Sequence, residues 1–172
     1  MSINDQIYSK LPEFFQNIVI STYGMYWHWL RFCGDYPTFE KEYRARDRWN
    51  SFEWNPYQQK KLINLLKICV NNVPYYSKEW SDKQKAAALS GNLSEIPLLE
   101  KNPIRANPLD FARTDIKPVI TIKNWTSGST GTPIATIWTP SEIRDSLAVR
   151  EVRSANWAGV SFKFPRATFS GR

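Results

Sequence analysis

The stretch Thr126-Ser-Gly-Ser-Thr-Gly-Thr-Pro133 holds the residues best equipped for chemistry. Gly128 and Gly131 lack a Cβ, so the main chain there can take positive φ and approach a ligand closely. Successive amides in such a bend converge on an anion. Thr126, Ser127, Ser129, Thr130 and Thr132 add hydroxyl donors with little bulk, and no acid lies within the segment to repel a polyphosphate. Pro133 restricts the exit. These types at this spacing suit the holding of phosphate oxygens. The segment is not the P-loop of the usual NTPases, because no lysine follows Gly131, and it does not match the dinucleotide fingerprint Gly-x-Gly-x-x-Gly. The same residues also suit an ordinary hairpin turn, since Gly, Ser and Thr favour turns for local reasons.

Other reactive side chains are sparse. Cys33 and Cys69 stand far apart in apolar segments, where a buried free thiol is expected. His28 is the single histidine and lies in the aromatic run Met25-Tyr-Trp-His-Trp-Leu30, which predicts a packing role. A zinc site needing several His or Cys is excluded on this count. The 172 residues carry a formal charge of +7, which suits nucleic acid, an anionic membrane face or a polyphosphate ligand. The cations are scattered, and Arg44-Ala-Arg46-Asp-Arg48 and Lys60-Lys61 read as solvated faces. Eight Trp, eight Tyr and nine Phe exclude a chain disordered by composition.

The elements that must position the loop follow from periodicity. The first third reads as helix, broken at Gly34 to Pro37. Phe14 to Phe32 contains Gln16, Asn17, Ser21 and His28, which are costly at a bilayer centre, so an amphipathic helix packed on a core is expected. Tyr57 to Asn72 gives a helical stripe of Leu62, Leu65, Leu66, Cys69 and Val73, ended by Pro74. Ser77 is read as the cap of a short helix closed by Gly91-Asn92. Pro97, Pro103 and Pro108 predict short turns and extended connections. Lys117 to Lys123 and Ile134 to Thr139 are predicted strands flanking the loop. A helix follows with Thr139 as cap, Pro140 first and Glu142 completing a capping box, facing inward through Ile143, Leu147, Val152 and Ala155. The fold class expected is α/β (mixed α+β): a mainly helical region over residues 1–116, then the start of an α/β core over 117–172.

Thr126 to Pro133 resembles the phosphate-binding signature of the adenylate-forming superfamily of acyl-CoA ligases, luciferases and peptide-synthetase adenylation domains. Upstream stretches resemble one branch, the phenylacetate–CoA ligase or CapK-like proteins: Tyr57-Gln58, Asn72-Val-Pro-Tyr-Tyr76, and Ile96-Pro-Leu-Leu-Glu-Lys101 with Ile104-Arg105. Ile134 stands where many superfamily members carry Lys or Arg. The resemblance spans roughly residues 10 to 160 and implies the N-terminal part of the large domain of such an enzyme. It further implies a cytoplasmic ATP-dependent ligase that joins a carboxylic acid to AMP and then to CoA or another thiol. Mg²⁺ would enter with ATP, and Thr126, Ser127, Gly128, Ser129, Thr130, Gly131 and Thr132 would hold its phosphates. Adenine, ribose and catalytic-lysine motifs of the family lie further downstream, so the chain is expected to be a fragment that does not turn over alone. CapK-like members are associated with polysaccharide biosynthesis.

Two competing readings stand beside this one. A basic, aromatic-rich module for a membrane surface or single-stranded nucleic acid would use Tyr23, Tyr26, Trp27, Trp29 and Arg31, although core packing of these rings is expected instead. A non-catalytic relic that binds a nucleotide or a partner protein is the other.

Overall fold

The computed structural model describes residues 8–116, 120–126 and 133–164. Helices dominate, and the described strands form one two-stranded antiparallel sheet, giving a mixed helix-and-sheet fold. The chain forms two compact units, residues 8–44 with 140–164 and the described residues of 45–139. The compositional boundary at 117 falls inside the second unit.

In the first unit, α1 (Glu13–Phe32) begins after Pro12, with Glu13 in its first turn and Arg31 in its last, as the helix dipole favours. After the break at Cys33 to Asp35 comes α2 (Tyr36–Arg46). Phe32 stacks on Phe162 at 4.2 Å, and Phe162 meets Tyr36 edge-on at 5.6 Å. Leu30, Tyr36, Ala148 and Val152 are the buried apolar residues of this unit. The helix after the sheet, Pro140–Arg150, passes into a wider π-turn at Glu151–Ala155. Ala148 and Val152 are buried while Ile143, Leu147 and Ala155, which the sequence pattern placed inward, are half-buried.

In the second unit, α3 (Ser51–Asn72) starts six residues ahead of the expected Tyr57. Asn50 explains this. Its side chain accepts from the Phe52 and Glu53 amides at 2.9 and 3.3 Å, and Glu53 accepts from the Asn50 amide at 3.0 Å. Pro56 lies inside the helix, where its missing N–H removes only the bond to the Phe52 carbonyl. Trp49, Trp54 and Tyr57 pack mutually edge-to-face at 5.3–5.8 Å around this first turn. Pro74 opens α4 (Pro74–Glu79) at its first position as well as closing α3.

Ser81, not Ser77, caps α5 (Asp82–Ser90), in a capping box with Gln84. Ser77 instead turns its hydroxyl to the Pro74 carbonyl. Gly91 closes α5 with φ +78°, as its sequence position suggested. Leu66, Trp80 and Ala88 form the core between α3 and α5, with Leu62, Cys69, Tyr76 and Ile96 against it. Leu65 of the expected stripe is exposed, because it falls off the side that meets α5. The proline-rich stretch gives a 3₁₀ turn at Leu93–Glu95, α6 (Lys101–Ala106) and a second 3₁₀ turn at Pro108–Phe111. Strands β1 (Ile122–Trp125) and β2 (Ala135–Trp138) follow, then α7 (Pro140–Arg150). The expected strand from Lys117 is therefore described only at its C-terminal end, and residues 117–119 lie outside the described residues.

Candidate functional site

β1 and β2 are rich in β-branched and aromatic residues and pair as a hairpin, Ile122 opposite Trp138 through Trp125 opposite Ala135. Thr136 donates its hydroxyl to the Asn124 carbonyl at 3.2 Å, and Trp138 Nε1 donates to Thr136 Oγ1 at 3.0 Å. One step beyond the ladder, the Thr126 amide donates to the Ile134 carbonyl at 3.0 Å. The Ile134 amide returns a bond to Thr126 Oγ1 at 2.9 Å. These two bonds close the mouth of the loop that runs from Thr126 to Pro133.

Thr126 thus has one defined duty, tying the hairpin mouth, with its hydroxyl oxygen accepting from the Ile134 amide. Ser127, Gly128, Ser129, Thr130, Gly131 and Thr132 lie outside the described residues. Ile134 is half-buried and spends its amide on Thr126.

Alternation along a strand sends Lys123 and Trp125 to one face of the hairpin, and Ile122, Asn124 and Thr126 to the other. Trp125 is 67% exposed and Lys123 is exposed, opposite Ile137 and Ala135. Lys123 makes no ion pair to a described residue. A cation and an indole therefore stand on the open face beside the loop. Sequence reading missed both, although counting outward from Thr126 in twos would have placed them together on the face opposite Thr126.

A concavity of about 230 Å³ lies against α4 and the extended Pro97-Leu98-Leu99. Tyr75, Tyr76 and Trp80 line it, with Glu79 beside them. Phe111 stacks on Tyr75 at 4.3 Å, so one of these rings also braces the following 3₁₀ turn. Burial pushes the Tyr76 hydroxyl up, with Cys69 and Tyr75 adding to the effect. Burial likewise pushes the Cys69 thiol up, which leaves it a weak nucleophile. Cys33 and Cys69 are both free and half-buried.

The strongest polar cluster is structural. Arg144 donates from Nε to the Leu30 carbonyl at 2.9 Å and from Nη1 to Asp35 at 3.1 Å. Ser141 donates to the other Asp35 oxygen, and Tyr43 donates to Asp145 at 2.7 Å. These bonds fasten α7 to the end of α1 and to α2. Among the described residues no group of three or more His, Cys, Asp or Glu could hold a metal ion, and no helix is long and apolar enough to cross a membrane. Two sequence readings need correction. Arg46 is buried rather than solvated, donating to the Tyr57 hydroxyl at 2.8 Å, and His28 is exposed rather than packed in a core. No family model, curated protein or solved structure matches the chain.

Proposed function

We propose that the loop at the tip of the β1–β2 hairpin grips the β- and γ-phosphates of ATP, as part of an ATP-dependent, acid-activating ligase of the adenylate-forming kind. The observation that carries this reading is the tie between Thr126 and Ile134. It holds both ends of a glycine- and hydroxyl-rich loop at a fixed spacing, which lowers the ordering cost of binding a ligand there. The resemblance of the same residues to the superfamily signature supports it independently, and the helices followed by strand, loop, strand and helix fit the N-terminal part of such a large domain.

The chemistry asks little acid–base work of side chains. A substrate carboxylate attacks the α-phosphorus, the bond to pyrophosphate breaks, and an acyl-adenylate forms. A thiol such as that of CoA then attacks the acyl carbonyl and AMP leaves. Positioning and charge neutralisation carry such steps, and Mg²⁺ arriving with ATP shares the charge. In this scheme Thr126 to Thr132 immobilise the departing pyrophosphate by main-chain and hydroxyl donation. Lys123 adds positive charge from the open face, and Trp125 offers a ring on which a base can stack. ATP and CoA as reactants assign the work to the cytoplasm.

Equilibrium dialysis of ATP with Mg²⁺ against the 172-residue chain tests the reading. Binding that pyrophosphate displaces is expected. Gly128→Val should weaken it about tenfold or more, because a β-branched side chain blocks close approach of the main chain. Equal affinity in the variant and the unaltered chain would refute the assignment.

A further inference from the structure

From Phe14 to Leu30, α1 contains no Asp, Glu, Lys or Arg, and Glu13 and Arg31 bracket this run. At about 100° per residue, Phe14, Ile18, Met25 and Trp29 fall in one row. Phe15, Val19, Tyr23 and Tyr26 extend that row around about half of the circumference. Asn17, Ser21, Gly24 and His28 form a row on the remaining side, where Glu13 and Arg31 also fall. Ile20 and Trp27 depart from the pattern, as does Thr22, which falls within the apolar arc and donates its hydroxyl to the Ile18 carbonyl at 2.7 Å; Trp27 is half-buried beneath the Arg31 guanidinium at 4.7 Å. The helix is therefore amphipathic. Its apolar side is uncovered over most of its length: each of those eight apolar residues is between 44% and 72% exposed, and Trp29 alone among them lies under the Arg144 guanidinium, at 5.8 Å. Leu30 is the only residue of α1 that is buried.

The composition of that face says what covers it. Tyr and Trp, amphipathic rings that favour the boundary between hydrocarbon and water, share it with Phe, Ile, Val and Met. The opposing row is polar, uncharged between Glu13 and Arg31 at its ends, and Lys10 stands just ahead of the helix. A formal charge of +7 repels a second copy of the chain and attracts an anionic surface. We propose that α1 lies in the plane of an anionic membrane surface, with its Phe14-to-Trp29 side sunk among the upper acyl chains. Lys10, just ahead of the helix, then meets lipid phosphates, and Asn17, Ser21, His28 and Arg31 face water. The helix is about 30 Å long and lies along the surface rather than across it.

Flotation of the full chain with phosphatidylcholine vesicles, with and without phosphatidylglycerol, tests this. Co-flotation with the anionic vesicles is expected, together with quenching of tryptophan emission by brominated acyl chains that falls in Trp29→Phe. Ile18→Asp should lower vesicle affinity about ten- to hundred-fold, from the lost burial of one large apolar side chain. Asn17→Asp adds the same charge on the other side of the helix and should leave affinity within about twofold. Matched far-ultraviolet circular dichroism establishes folding of the variants, and quenching of the unaltered chain carries the test if Ile18→Asp misfolds. Equal flotation of Ile18→Asp and Asn17→Asp would overturn the proposal. Salt-reversible binding without quenching, or a lipid-free dimer that Ile18→Asp dissociates, would do the same.

Discussion

Asp35 shows how a single carboxylate is made to work for the fold. Burial by itself would push its carboxyl up, but hydrogen bonds from Ser141 and Arg144, with the Arg144 charge, outweigh burial and hold it below the ordinary value. A folded-state value below the unfolded one contributes stability that is present above about pH 4 and is lost as pH falls through the folded value. Thermal melts followed by circular dichroism from about pH 7 down to about pH 3 should show the unaltered chain losing more stability than Asp35→Asn. Parallel losses would mean that Asp35 does not feel the Ser141 and Arg144 donors. Nothing in the sequence joined Asp35 to Arg144, because the two meet only once α7 returns to the end of α1. Arg46 makes the same point. Its setting between Arg44 and Arg48 reads as a solvated basic run, yet its guanidinium is buried over the Tyr57 ring at 5.0 Å. Charge counts along a chain do not distinguish a cation packed on an aromatic face from one in water.

At the scale of elements, local signals located most helix ends, and competition between signals explains the rest. Gly91 as a C-cap and Pro140 as a first residue stand where they were expected, since each sets its own backbone geometry. Pro56, just ahead of the expected start at Tyr57, lies within α3. The reciprocal Asn50–Glu53 cap and the Trp49, Trp54 and Tyr57 rings outweigh one missing hydrogen bond. Asn50→Ala should therefore cost about 1 kcal/mol of stability, measured by urea denaturation, and fray α3 back toward Tyr57. No change in midpoint would show that the rings alone set the start. Ser77 and Ser81 both precede helical residues, but only Ser81 has Gln84 at the reciprocal position, and that pairing decides the cap. The hairpin was legible from its β-branched runs, although β1 is shorter than the pattern suggested. The Thr126–Ile134 tie was not legible, since it depends on register rather than on residue type.

On the scale of the whole molecule, the large aromatic content does not fill cores. Among the described residues, the buried apolar side chains are four in each unit: Leu30, Tyr36, Ala148 and Val152 in one, Leu66, Val73, Trp80 and Ala88 in the other. Hydrophobic periodicity shows which residues share one side of a helix and says nothing about whether another element covers that side. This is why α1, expected to pack on a core, instead presents its rings outward. The same holds for the hairpin, whose Trp125 lies on the open face. The sequence thus located the two strands on either side of Thr126 to Pro133, whereas the exposed surfaces around them required the structure. Both functional proposals rest on exposed groups: Lys123 and Trp125 on the hairpin, and the apolar side of α1. The former is the central claim, and amide chemical shifts report on it directly. Titrating ATP with Mg²⁺ into isotopically labelled chain should move the backbone amides of Ser127 through Thr132 most, with smaller shifts at Lys123 and the Trp125 indole. Amides of the loop that stay unmoved at saturating nucleotide, while others shift or none do, would contradict it.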